Sequence, residues 1–304
     1  GESNYCLTLK SNPSLLWVGT HQGIRIADIK TGQLLAEPVF KEAGIKSGYH
    51  VESIFEDRQG IVWVGSNKGL FRYDRNQKPF YVMKPDQPGT EVSTIAIKAR
   101  NTIWAGTRGS GIFLVETDAD GHRLSSNKLV LNSEQIDGYL KEDIFSIETG
   151  LGNDLWISTK GKGIVYADNI RSTGSGVITA NAVNFNQDNG LADNDVMTLY
   201  RDSKGTIWGG CWSNGLIYYS KDDNAFRILQ GTYARELKKS PIVKIIESGP
   251  NRFYLGTRGN GLILIEISST RDSIIHMEHY LQNTADSTSI CNNFISDLIT
   301  MPGN

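Results

Sequence analysis

Short runs rich in Val, Ile, Trp, Tyr and Thr alternate with clusters of Gly, Asn and Asp along the whole chain, and the runs recur in register. In the clearest copy, residues 57–60 read as a tight turn, 61–66 as a strand, 67–69 as a second turn and 70–73 as a second strand. Val51 and Ile54 lie on a β-prone run before this hairpin, and residues 79–82 supply another after it. One unit is therefore predicted to hold four strands.

The unit repeats. An aromatic anchor stands at Trp17, Trp63, Trp104, Trp156, Trp208 and Tyr254. Two positions later come Gly19, Gly65, Gly106, Ser158, Gly210 and Gly256, each followed by Thr, Ser or, once, Cys211. A turn glycine follows at Gly23, Gly69, Gly111, Gly163, Gly215 and Gly261. Upstream of the anchors the pairs Val51/Ile54, Val92/Ile95, Ile144/Ile147, Val196/Leu199 and Ile242/Ile245 mark an entering strand, with Tyr5/Thr8 as the divergent first copy. The run 289–298 resembles 191–199, so Ile295/Leu298 reads as the entry of a further unit.

Helical arrays and β-propellers share periods of 40 to 50 residues, and residue type decides between them. Short β-branched and aromatic segments split by Gly, Asn and Asp favour four-stranded blades. The expected fold is all-β, a β-propeller of six complete repeats plus the first strand of a seventh, cut from a longer array and forming one domain over residues 1–304. Blades are expected near 4–40, 50–83, 91–131, 143–185, 194–229 and 240–280, with 290–304 opening another. The gap at 171–176, rich in Gly and Ser, reads as an exposed hairpin loop. The anchors are expected to fill the space between sheets.

A net charge of −2 and 21% charged residues give no reason to expect nucleic acid or a membrane surface as partner. Three cysteines, Cys6, Cys211 and Cys291, are too scattered for a disulfide framework, and Cys211 reads as a buried thiol. No run of 18 apolar residues occurs.

The pattern D-x-x-G-x-x-W-x-G-[ST]-x-x-G-[LI]-x-x-[YF], with the N-G-L-x-x-N-x-V type loop at residues 189–196, resembles the two-component regulator propeller repeat. The resemblance runs over residues 5–299. It implies the extracytoplasmic, periplasmic sensor region of a hybrid two-component regulator, whose kinase would lie outside this chain. Ser158, Tyr254 and Asn101 depart from the repeat pattern.

Function is sought where the copies differ. The turn after each anchor strand carries His21, Lys68, Arg108, Lys160 with Lys162, Trp212 and Arg258. These turns and the crossings between units share one face of a propeller, so the seven residues are expected around one mouth, where cations and an indole suit an acidic oligosaccharide. Asp86, Glu91, Asp143 and Asp193 are expected to neutralise part of that charge. The same residues also fit solvated turns. No catalytic motif, metal-binding spacing or cofactor loop stands out, and His276 and His279 fall on opposite faces of a strand. The leading expectation is a non-catalytic, oligosaccharide-sensing propeller that also contacts itself or a neighbouring propeller. The alternatives are a purely protein-binding or dimerising propeller, and a polysaccharide lyase or hydrolase working from carboxylates on different units.

Overall fold

A computed structural model describes residues 5–9, 12–20, 23–28, 33–35, 49–57, 60–73, 81–83, 90–118, 123–286 and 289–298. Consecutive strands pair as antiparallel neighbours. The first sheet is β1 (Tyr5–Leu9), β2 (Asn12–Thr20), β3 (Gly23–Asp28) and β4 (Leu34–Leu35). The second is β5 (Val51–Glu56), β6 (Val62–Ser66), β7 (Gly69–Tyr73) and β8 (Tyr81–Met83). Next come β9 (Val92–Ala99), β10 (Thr102–Thr107), β11 (Ile112–Thr117) and β12 (Arg123–Leu131), then β13 (Ile144–Thr149), β14 (Leu155–Thr159), β15 (Gly163–Ser172) and β16 (Val177–Phe185). These two runs of four join into one eight-stranded sheet. Two more sheets follow: β17 (Val196–Arg201), β18 (Ile207–Cys211), β19 (Leu216–Ser220) and β20 (Ala225–Ile228), then β21 (Ile242–Gly249), β22 (Arg252–Thr257), β23 (Leu262–Ile267) and β24 (Ile274–Tyr280). The chain is mostly β and propeller-like.

The repeat motif has a local physical reason. Asp57 closes the turn before β6: its carboxylate accepts the Ile61 amide at 3.0 Å and the Trp63 indole Nε1 at 3.1 Å. Asp202 does the same before β18, accepting the Lys204 and Thr206 amides and the Trp208 indole at 2.7 Å. One carboxylate thus satisfies both the turn and the polar atom of a buried tryptophan, which would otherwise carry a desolvation cost. After the anchor strand, the hydroxyls of Thr20, Ser66, Thr107, Thr159 and Thr257 donate to the carbonyl of the following turn glycine.

The five tryptophan anchors each belong to a core between their own sheet and the next. Trp17 packs with Val51 and Ile54, Trp63 with Val92 and Ile103, Trp104 with Ile144 and Ile147, Trp156 with Val196 and Leu199, and Trp208 with Ile242 and Phe253. The glycine two positions after an anchor lets the neighbouring entering strand come close. A Cβ on Gly106 would sit 2.6 Å from Thr94 Cγ2 and 2.8 Å from Ile144 Cγ2. Tyr254, the last anchor, is only half-buried.

Three local features depart from the sequence expectations. The crossing before β13 folds a short helix, α1 (Glu134–Tyr139), capped by Ser133, and a 3₁₀ turn spans Thr232–Lys239 before β21. The outer strands β12 and β16 pair in parallel, Leu129 opposite Ile178 and Leu131 opposite Ala180, which is how the third and fourth runs fuse. The hairpin loop expected at 171–176 is present but shorter, since β15 continues to Ser172.

The fourth departure is that residues 295–298 form no ladder strand, although they dock as an entry. Ile295 N donates to Thr257 O at 2.9 Å, and Gly261 N donates to Asn293 O at 2.9 Å, matching Gly163 N to Asn194 O at 2.9 Å. Ile295 Cγ2 would lie 2.8 Å from a Cβ on Gly256. Residues 299–304 lie outside the described residues.

Candidate functional site

In the second to sixth units, the turn after the anchor strand is tied to the residue that enters its own unit. The amides of Asn67, Arg108, Lys160, Trp212 and Arg258 donate to the carbonyls of His50, Glu91, Asp143, Asp195 and Pro241 at 2.9 to 3.0 Å. Turn and entry residues therefore sit side by side on one face. Phe294 takes the next entry position and bridges Arg258. These two series form the rim of a mouth whose parts differ in chemistry.

In the arc contributed by the second to fourth units, two of the turn cations, Arg108 and Lys160, are held by carboxylates. Arg108 Nη2 lies 3.2 Å from Glu52, its Nε 3.3 Å from Glu91 and its Nη1 3.6 Å from Asp143. Lys160 Nζ is 3.8 Å from the same Asp143 oxygen. Burial alone would lower the Arg108 pKa; the charges of Glu52, Glu91 and Asp143 outweigh it and hold the guanidinium above its ordinary value. Glu91 and Asp143 are the neutralising acids named from sequence. Glu52 was missed, because only the packing of β5 against β9 brings it to Arg108.

The arc of the fifth and sixth units is aromatic. Trp212 is 46% exposed, and the Arg258 guanidinium lies 5.9 Å from its ring centre. Phe294 is 64% exposed, with its ring 3.9 Å from the position a Cβ on Gly259 would take. Trp212, Arg258 and Phe294 thus present two exposed aromatic rings beside one cation. Phe294 was not foreseen; its signal was its place thirteen residues before the anchor position that the register of a further unit assigns, equivalent to Pro241 and Asp195.

The remaining candidates fall elsewhere. His21 and Asp86 lie outside the described residues. Lys68 is exposed at its turn, and Lys162 points toward α1, its Nζ 5.9 Å from the Tyr139 ring. Asp193 accepts the Asp195 and Ser213 amides and so braces the turn rather than balancing a cation. The structure brings together Arg108 with Lys160, and Trp212 with Arg258; among the described residues Lys68 and Lys162 join neither pair.

Behind the rim, the first strands of the second to sixth units and Asp297 line a central cavity of about 390 Å³. Glu148 projects into it, with Arg201 Nε at 4.0 Å, and Lys244 pairs with Asp297 at 2.6 Å. Burial pushes the Glu148 carboxyl up to about 7 against the pull of Arg201 and Lys244. Cys211, the last residue of β18 and next to Trp212, is fully buried and its thiol is pushed up by burial and by Asp193.

No curated protein matches the chain. Among solved structures, PorZ, a surface component of the type-IX secretion system of Porphyromonas gingivalis, superposes with a TM-score of 0.61 at 13% identity, over 91% of this chain and 46% of that one. YCF48 from Cyanidioschyzon merolae gives 0.56 at 13% identity, covering 86% and 81%. The extracellular domain of a hybrid two-component system from B. thetaiotaomicron gives 0.38 at 18% identity over 95% of this chain; the chain spans 46% of that domain. No helix among the described residues is long and apolar enough to cross a membrane. At residues 45–68 and 190–213 the sequence matches the family described as two component regulator propeller, and the chain carries repeats of that kind.

Proposed function

We propose that the chain is the sensory, ligand-recognising propeller of a hybrid two-component signalling protein, non-catalytic itself and acting from the periplasmic side on a kinase outside this chain. Its ligand is an oligosaccharide, acidic in character, received at the mouth by Trp212, Arg258 and Phe294. The observation that carries this reading is the exposed Trp212 ring stacked beside Arg258. An indole held in water on a polar face costs free energy unless something covers it, and a sugar ring with a carboxylate or sulfate offers both a flat apolar face and an anion. The repeats at 45–68 and 190–213 support the signalling context. Arg108 and Lys160 of the other arc are engaged by carboxylates and have less to give a ligand. Ligand at the mouth would shift an equilibrium between two arrangements of subunits by its difference in affinity for them.

The test is calorimetry and thermal shift against neutral and acidic oligosaccharides. Saturable binding without turnover, lost in Trp212→Ala and in Arg258→Ala, supports the reading. Binding that survives both changes places the site elsewhere. Turnover of the sugar would replace the sensor with an enzyme, and concentration-dependent dimerisation without sugar binding would favour an interaction module.

A further inference from the structure

Three side chains able to ligate a metal converge on the charged arc, outside the aromatic site. His50 and Glu52 flank the start of β5, and Glu91 precedes β9. A ring nitrogen of the first and one carboxylate oxygen from each of the others lie within 4.8 Å of one another. We propose that His50, Glu52 and Glu91 bind a single divalent cation of the zinc or manganese type, and that Arg108 is the positive charge the ion displaces.

Position in the repeat makes Glu52 unusual. The equivalent positions in the following units hold Ser93, Phe145, Met197 and Val243. A carboxylate with only 5% of its side chain exposed demands a positive charge close by. His50 Nδ1 already lies 3.3 Å from Glu52 Oε1, and the His50 amide donates to Asn67 Oδ1 at 3.0 Å, which fixes the backbone that carries the imidazole. One imidazole nitrogen with two carboxylates is a donor set for zinc or manganese, whereas calcium prefers six or more oxygens.

Charge balance favours exchange. Two carboxylates and a neutral imidazole carry two negative charges, which a divalent ion cancels. Arg108 is 39% exposed and has a further partner in Asp143 on the next unit, so it can leave Glu52 and Glu91 without becoming an isolated charge. Binding would therefore pull Arg108 across the rim, coupling the second unit to the fourth.

The experiment is equilibrium dialysis and thermal shift of the whole chain with zinc or manganese alone. One equivalent should bind saturably and raise the melting temperature. The double variant His50→Ala, Glu91→Gln should weaken binding by at least about tenfold; both side chains are partly exposed, so the fold should survive the change. Arg108→Met, which removes the competing guanidinium, should bind the ion at least as tightly as the unaltered chain. The electron spin resonance spectrum of bound manganese would read out protein ligation directly. Absence of saturable binding at about 1 mM ion in both the unaltered chain and Arg108→Met would overturn the proposal, as would binding that the double variant leaves intact.

Discussion

The two arcs of the mouth are built on the same backbone bonds yet have different outcomes. In the second to fourth units the entry residues are His50, Glu91 and Asp143, and the turn cations Arg108 and Lys160 fold back onto carboxylates. In the arc of the fifth and sixth units, Asp195 and Pro241 occupy the equivalent places and Phe294 the next one, and Trp212 and Arg258 lie against each other on the exposed face. Arg108 and Lys160, beside acidic entry residues, pair with them, whereas Arg258, beside Pro241 and Phe294, lies against Trp212. The difference teaches that the pair, not the turn residue alone, decides what each position does.

The largest expected effect lies on the aromatic arc. If sugar binds there, Trp212→Ala together with Arg258→Ala should reduce affinity by at least about a hundredfold, two contacts of one to two kcal/mol each. Calorimetry should find Lys160→Ala within about threefold of the unaltered chain. Equal losses from both arcs would erase the distinction drawn between them.

Stability should show the opposite order. Glu52→Gln removes a buried partner of Arg108, and thermal or urea denaturation should register a loss of about 1–3 kcal/mol, discounted because Arg108 is partly in water. Phe294→Ala should change stability by less than about 0.5 kcal/mol, since its ring is exposed.

Glu148, facing Arg201 and Lys244 with Asp297 and Tyr200 nearby, adds a dependence on pH that belongs to neither arc. Its folded pKa of about 7 exceeds the value of about 4.3 in an unfolded chain, so the folded state holds the extra proton between those values. The contribution is full below about pH 4.3 and is lost as pH rises through 7. Urea midpoints should fall between pH 5.5 and 7.5 by the equivalent of about 1–2 kcal/mol, and Glu148→Gln should flatten that fall.

The smallest effect concerns Cys211. In the other copies a hydroxyl here donates to the turn glycine, so Cys211→Thr should gain about 0.5 kcal/mol or nothing, measured by the same denaturation. A loss beyond about 1 kcal/mol would mean that the thiol fills a space a hydroxyl cannot.

Much of the fold was written in the chain because the repeat enforces itself locally. Asp57 must reach Trp63 six residues on, and Thr107 must reach Gly111 four residues on, so each constraint lies inside a short window. The mouth was half legible for the same reason: turns can be aligned, but their partners come from other units. Glu52 finds Arg108 fifty-six positions away, and Phe294 meets Arg258 across thirty-six. Periodicity says nothing of such meetings. The pairing of β12 with β16 was hidden too, since it joins outer strands whose residues vary most between copies.

That pairing has a mechanical consequence. Among the described residues, β12 and β16 are where strands of two neighbouring units pair as a ladder, and beside that ladder Asn132 N donates to Ala180 O at 2.9 Å and the Asn132 side chain clasps Asn181 at 3.0 Å. Shear between these two sheets would have to break backbone hydrogen bonds, so they should move as one plate. Any displacement passing along the series of sheets would bend at the seams on either side of that plate, and amide protons of Leu129 to Leu131 and of Ile178 to Ala180 should exchange together, as a single slow unit.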